Sequence, residues 1–497
     1  MPWVRLHGTK DYLDMVQVLE KFPKIRQTVN LVPSLLEQIE DYTSRNVKDK
    51  FLDLSYKPAA ELTHEERNFI RDNFFSINRE RVVAMDPRYY QLLLKKEAGM
   101  AYDDQDYLDL QVWFNLAWID PSFKKNKPEL KKIVAKARFF TEEEKHVVLE
   151  KQIEILEDIV PYYREMMQTG QIEITANPYY HPILPLLFST KTAKEANVKT
   201  VLPRENFAYP QDAQEQINSA INFYQSRFGK APKGMWPSEE AISEHILPMI
   251  IKSGIKWIIS DEGMLHKSLK LKKRDSVLLY QPHLLKRKDG DLTIVFRDRN
   301  LSDLIGFIYH RWEAKPAVDD FMYHLKNIAT AFKGKDILVT IAMDGENAWE
   351  YYTNDGHDFL ELLYQELSDA DFVKTTTVSE YLEKFPAKHE IKRLAAGSWI
   401  YSEFGKWIGN HQKVRAWECL VKARDELHEI MNDEERLASL STRIELIWKQ
   451  MYICEGSDWF WWYGEGPAEF DQLFRTHLSN FYTLIGKEIP ECLKHPL

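Results

Sequence analysis

Seven almost wholly apolar residues at 337–343 (ILVTIAM) run straight into Asp344-Gly345-Glu346-Asn347. An apolar run without polar alternation predicts a strand buried on both faces, as in a parallel sheet. Its carboxylates would then sit at the C-terminal mouth of a core, where barrels of parallel strands keep their chemistry. A plain Asp-Gly chain reversal is the alternative. Shorter apolar runs predict further strands at 26–32, 172–175, 233–235, 256–260, 277–281 and 293–297.

Helical periodicity fills the intervals. Residues 11–22 predict a helix before the first strand, and the stretch from about 60 to 170 is helical almost throughout. Thr63-x-x-Glu66 and Thr141-x-x-Glu144 match capping boxes, while Pro161 should break or kink the second long helix. Helices at 211–228 and 240–252 are followed by Gly229 and Gly254. Beyond about 390 the strand signals stop, and amphipathic patterns near 413–431, 434–453 and 469–485 predict a helical bundle. The fold expected is α/β, an incomplete TIM-like (β/α)7 barrel over 1–390. It would carry a helical insertion at about 60–170 and a C-terminal α-helical bundle over 391–497.

Composition narrows the function. The chain has 497 residues, 44% hydrophobic and 29% charged, ordinary for a globular protein with a sizeable core. A net charge of −10 argues against a nucleic-acid partner. No apolar run approaches a membrane span and no signal-peptide core opens the chain, so a cytoplasmic protein without a membrane partner is expected. Three widely spaced cysteines predict no disulfide framework. The aromatic content of 13%, with 14 Trp and 24 Tyr, matters more, because Trp and Tyr stack on sugar rings as well as filling cores.

A second carboxylate, Glu239, stands in Gly234-Met235-Trp236-Pro237-Ser238-Glu239-Glu240, between a short strand and a helix start. A helix N-terminus would favour its ionised form, although first-turn glutamates are also common in ordinary helices. Two carboxylates at the ends of different strands are the minimum for glycoside hydrolysis, one as nucleophile and one as proton donor. Asp344, leaving the more buried strand, is the better donor. His181 in 177–182, Asp261 and Arg297 also follow predicted strands. Aromatic stretches at 397–409, with Trp399 and Trp407, and at 455–464, with Asp458 and Trp459, read either as a sugar-binding wall or as interdomain packing.

Together these stretches resemble glycoside hydrolase family 57, the α-glucan-active enzymes, and most of all its α-amylase and amylopullulanase branch. The resemblance implies Glu239 as nucleophile, Asp344 as acid/base, and substrate contacts from His181, Trp236, Asp261, Arg297, Glu346, Trp399, Trp407, Asp458 and Trp459. It implies an α-glucan substrate, no cofactor and no metal. It also implies an opening strand with a His-Gln-Pro motif, which is missing here. The sequence starts at MPWVRLHGTKDY, and His7 is not followed by Gln-Pro. A retaining α-glucan hydrolase is therefore expected. A 4-α-glucanotransferase or branching enzyme with the same pair, and a non-catalytic glucan binder, are the alternatives. A metal-dependent deacetylase ranks lower, since none of the 15 His forms an H-x-x-x-H pair.

Overall fold

The computed structural model describes residues 2–346 and 348–497, so Asn347, in the 344–347 motif, lies outside the described residues. Strands β1 (Gln27–Asn30) and β2 (Ile172–Thr175) pair in parallel, with Gln27 opposite Ile172. Strands β3 (Gly234–Met235), β4 (Trp257–Asp261), β5 (His283–Arg287), β6 (Gly290–Arg297) and β7 (His389–Glu390) form a second sheet in the order β3-β4-β6-β5-β7. A parallel bridge from Ala176 to Met235 joins the two sheets.

This sheet topology does not confirm the expected incomplete TIM-like (β/α)7 barrel. β5 and β6 form an antiparallel hairpin, which occupies the N-terminal half of one edge of β6. The 337–343 segment therefore reaches that edge only at its C-terminal end, through the single parallel bridge Arg297–Thr340. It is half-buried rather than buried on both faces, and Ile341 is 36% exposed. The strand expected at 277–281 is instead a short helix, Ser276–Leu279. Asp275 accepts hydrogen bonds from Val277 N and Leu278 N and so caps it, moving the strand to His283–Arg287.

The helices follow the sequence more closely. Both capping boxes form, at Thr63/Glu66 and Thr141/Glu144. Pro161 does not break its helix, which runs from Glu142 to Gln168. Pro161 and Glu157, whose carbonyl loses its donor, are both exposed, so water can satisfy the freed group. The helices that lie between β1 and β2 thus end on a strand, and those from His411–Met431 to Ala468–Leu484 complete the chain. One apolar core is continuous from Leu6 to Leu497. Among the described residues no helix is long and apolar enough to cross a membrane. Cys419 and Cys492, distant in sequence, bring their sulfurs to 3.2 Å through packing of the last helices.

A buried charge network fixes the N-terminal segment to the helical layer and to the helix His357–Asp369. His357 Nε2 lies 2.8 Å from Asp120 Oδ2 and 3.5 Å from Asp14 Oδ1, and the buried Lys10 pairs with Asp11 and Asp355. These three groups, Asp14, Asp120 and His357, lie close enough to hold a cation, although no metal was expected. Burial alone would lower His357, but the hydrogen bond and charge of Asp120, with Asp14 and Asp355, raise it to about 9. Burial and Asp120 raise Asp14 to about 8, with His357 opposing. Both folded values exceed the unfolded ones, so their stabilisation is full at low pH and is lost as pH rises through 8 to 9. Thermal unfolding scans should therefore show stability falling between about pH 6.5 and 9, by on the order of 2 kcal/mol. His357→Gln, which keeps a donor but does not titrate, should flatten much of that slope.

Candidate active site

Glu239 owes its position to a tight backbone. Gly234 packs under Trp257, where a Cβ would lie 2.1 Å from the indole. Ala176 N donates to Gly234 O and Trp236 N to Ala176 O, which carries β3 out toward the mouth. The chain then makes a single 3-10 turn, Ser238–Glu240, in which Glu239 and Glu240 both take positive φ (58° and 51°). No α-helix begins there, so the helix dipole expected to keep Glu239 ionised is missing. Burial, then the charge of Asp344, raise Glu239 to about 8, while the Trp399 hydrogen bond opposes. Trp399 Nε1 donates to Glu239 Oε2 at 2.7 Å, and its backbone N donates to Glu239 O. An antiparallel bridge from Ile242 to Gly397 holds these two segments together.

Asp344 is positioned from beneath by Arg297. The guanidinium donates to Ala342 O at 3.0 Å and to Asp261 Oδ2 at 3.0 Å, and lies 5.0 Å from the Trp399 ring. Ala342 N donates to Ser302 Oγ and Asp298 N to Thr340 O, so the segment is tied down two residues before Asp344. Asp344 itself is exposed toward the cavity. Glu346 is raised to about 7 by burial and then by Asp344, with His7 opposing.

His181 sits at a positive φ of 57°, with Nδ1 2.8 Å from Ser457 Oγ and Nε2 3.8 Å from Glu239 Oε1. Burial lowers its pKa, while Asp458 and Asp344 pull it up. Trp236 meets Trp399 edge to face, with centroids 5.6 Å apart. Glu239, Asp344, His181, Trp236, Trp399 and Asp458 all line one cavity of about 2430 Å³. At its other end the cavity reaches Val29 of β1 and the 337–343 segment.

Two expected substrate contacts, Asp261 and Trp459, do not line this cavity, and a third, Trp407, is covered. Asp261 is fully buried, held by Arg297 and Arg299 and by capping Gly263 N, so it orients Arg297 rather than facing a ligand. Trp407 borders the cavity but is itself fully buried, its ring centroid 5.7 Å from that of Trp461. Trp459 turns toward His477 and donates to Ile453 O. The reason is helical: Ser457–Trp462 forms an α-helix, and its 3.6-residue period puts Asp458, Trp461 and Trp462 on the cavity face. Phe460 enters the core and Trp459 faces away. Counting that period along the SDWFWW run would have found Trp461 and Trp462 from sequence.

Comparison with known proteins shows the family and the fold. Alpha-amylase 1 of Dictyoglomus thermophilum is 25% identical over 263 residues, covering 52% of this chain but only 33% of that protein. The chain thus matches about a third of this curated relative's length. The fold is shared with the GH57-type branching enzyme of Pyrococcus horikoshii, with a TM-score of 0.60, 16% identity, and coverage of 97% of this chain and 85% of that one. It is also shared with the α-amylase AmyC of Thermotoga maritima, with a TM-score of 0.58, 13% identity, and coverage of 98% and 88%. The sequence profile of glycosyl hydrolase family 57 matches residues 1–393, four-fifths of the sequence, and so the chain belongs to that family.

Proposed function

We propose that the chain is a retaining hydrolase of α-glucans in which Glu239 attacks the anomeric carbon and Asp344 serves as acid and then as base. The observation that carries this reading is a pair of carboxylates in one aromatic-walled cavity: the charge of Asp344 adds to burial in raising Glu239, and Trp399 donates to Glu239 Oε2. Two coupled carboxyls hold one proton between them more readily than they hold two charges. With that proton on Asp344, only burial still holds Glu239 up, and Glu239 ionises more readily. Asp344 then protonates the glycosidic oxygen as Glu239 forms the glycosyl-enzyme, and afterwards takes a proton from the incoming water. Arg297, His181 and Trp399 orient these groups and contact the sugar, with Asp458, Glu346 and Trp236 around them.

A second reading, transfer to a sugar hydroxyl, is supported by the size of the cavity, which exceeds that of a site for one small ligand. The chemistry is the same apart from the acceptor. Incubation with amylose, maltooligosaccharides and pullulan distinguishes them. Hydrolysis should raise reducing ends, whereas transfer should redistribute chain lengths without raising them. Absence of both would overturn the proposal.

A further inference from the structure

One turn beside the site is built at a cost that its own packing does not repay. Tyr401 and Ser402 both adopt positive φ, 52° and 56°, a conformation disfavoured for a bulky L residue. Strain of this kind usually persists where the neighbouring structure holds a side chain for use. Here the Tyr401 ring is not stabilising anything: the residue is 87% exposed, and among the described residues no ring–ring or cation–π contact involves it.

The backbone of the turn, by contrast, is pinned from several sides. Ser398 Oγ donates to Glu403 O at 2.6 Å and accepts from Ile400 N at 3.1 Å. Lys267 Nζ donates to Ser402 O, and Asn197 Nδ2 to the Glu403 carboxylate. Two glycines give the turn its place: a Cβ on Gly397 would lie 2.3 Å from Ser402 O, and one on Gly263 would lie 2.2 Å from Ser402 Oγ. The main chain is therefore fixed while the side chain it presents is free.

The location supplies the ligand class. Tyr401 lies two residues from Trp399, whose indole touches Glu239, and lines the same cavity. Two residues span at most about 7 Å of chain, on the scale of one or two pyranose rings. The same cavity is also lined by Trp461, with Lys406 Nζ 4.7 Å from its ring, and by the partly exposed Trp462. An exposed phenol ring on a fixed turn suits the C–H face of a sugar, as rigid Tyr does in other recognition surfaces.

We propose that Tyr401 forms an outer glucosyl subsite, a platform on which a sugar unit of the bound chain stacks beyond the unit held at Glu239. This rests on the α-glucan reading above. The test is kcat/KM on maltooligosaccharides from maltotriose to maltoheptaose for wild type and the Tyr401→Ala, Tyr401→Gly and Tyr401→Phe proteins. Loss of the ring should lower kcat/KM by about three- to tenfold on the longest chain, with the loss shrinking as the chain shortens. Tyr401→Gly should behave like Tyr401→Ala while raising the Tm, because glycine relieves the strained φ. Tyr401→Phe, which keeps the ring face, should retain the length dependence of wild type. If wild type acts on these chains and the ring-deleted proteins show the same length dependence, the subsite is wrong and the α-glucan reading stands. If wild type acts on none of them, both fall.

Discussion

Glu239→Gln should abolish turnover of α-glucans, lowering kcat by roughly 10⁴-fold or more, the scale expected when a covalent nucleophile is removed. The substitution is nearly isosteric, and the amide oxygen can still accept from Trp399 Nε1, so the turn should be retained. A second readout separates this from misfolding. Burial and Asp344 hold the Glu239 carboxyl at about 8 in the folded protein, so above that pH its ionisation opposes folding. A folded value raised above the unfolded one means stability is lost as pH rises through about 8. Glu239→Gln should therefore be more heat-stable than wild type at pH 8.5 while being inactive. Stabilisation with loss of activity is the signature of a site that holds a costly group for function. Substantial residual hydrolysis by this variant would remove Glu239 from the mechanism.

Asp344→Asn should behave differently from Glu239→Gln. On amylose, loss of the proton donor should cost about 10²–10⁴-fold in kcat. On an aryl α-maltoside whose phenolate leaves without protonation, formation of the glycosyl-enzyme should be nearly spared. The pH profile gives a sharper test. The charge of Asp344 is the second cause, after burial, of the raised Glu239. Removing that charge lowers the Glu239 value, so the aryl-maltoside activity of the variant should extend to more acidic pH than that of wild type. Kinetics of the two proteins from pH 4.5 to 9 on both substrates would show it. An unchanged acid limb would mean that the two carboxyls are not coupled.

Much of this site was legible in the sequence, and its errors have specific physical origins. The motifs around Glu239, His181 and Asp344, picked out in the sequence, line one cavity. Composition and periodicity could not find the partners of each group. Asp261 follows a strand just as a site residue would, yet Arg297 and Arg299 occupy both of its oxygens. Ser457 was only one polar residue in an aromatic run, but its hydroxyl orients His181. Trp459 and Trp461 are equivalent in composition, and the direction of one helix turn decides which meets the cavity.

Local signals settled what local interactions control. Capping boxes at Thr63 and Thr141 formed because each needs only four consecutive residues. The strand at 172–175 appeared with the bounds its pattern predicts. By itself, then, the sequence determined the capped helix starts at Thr63 and Thr141, most of the strands and the residue types of the chemistry. Tertiary structure decided the rest. The β5–β6 hairpin took the sheet edge that 337–343 would have needed for a full ladder. The protonation of Glu239 depends on burial and on Asp344, more than a hundred residues away, rather than on a helix dipole. Edge competition and desolvation are both sums over the whole packed molecule, and neither is encoded in any one stretch of chain.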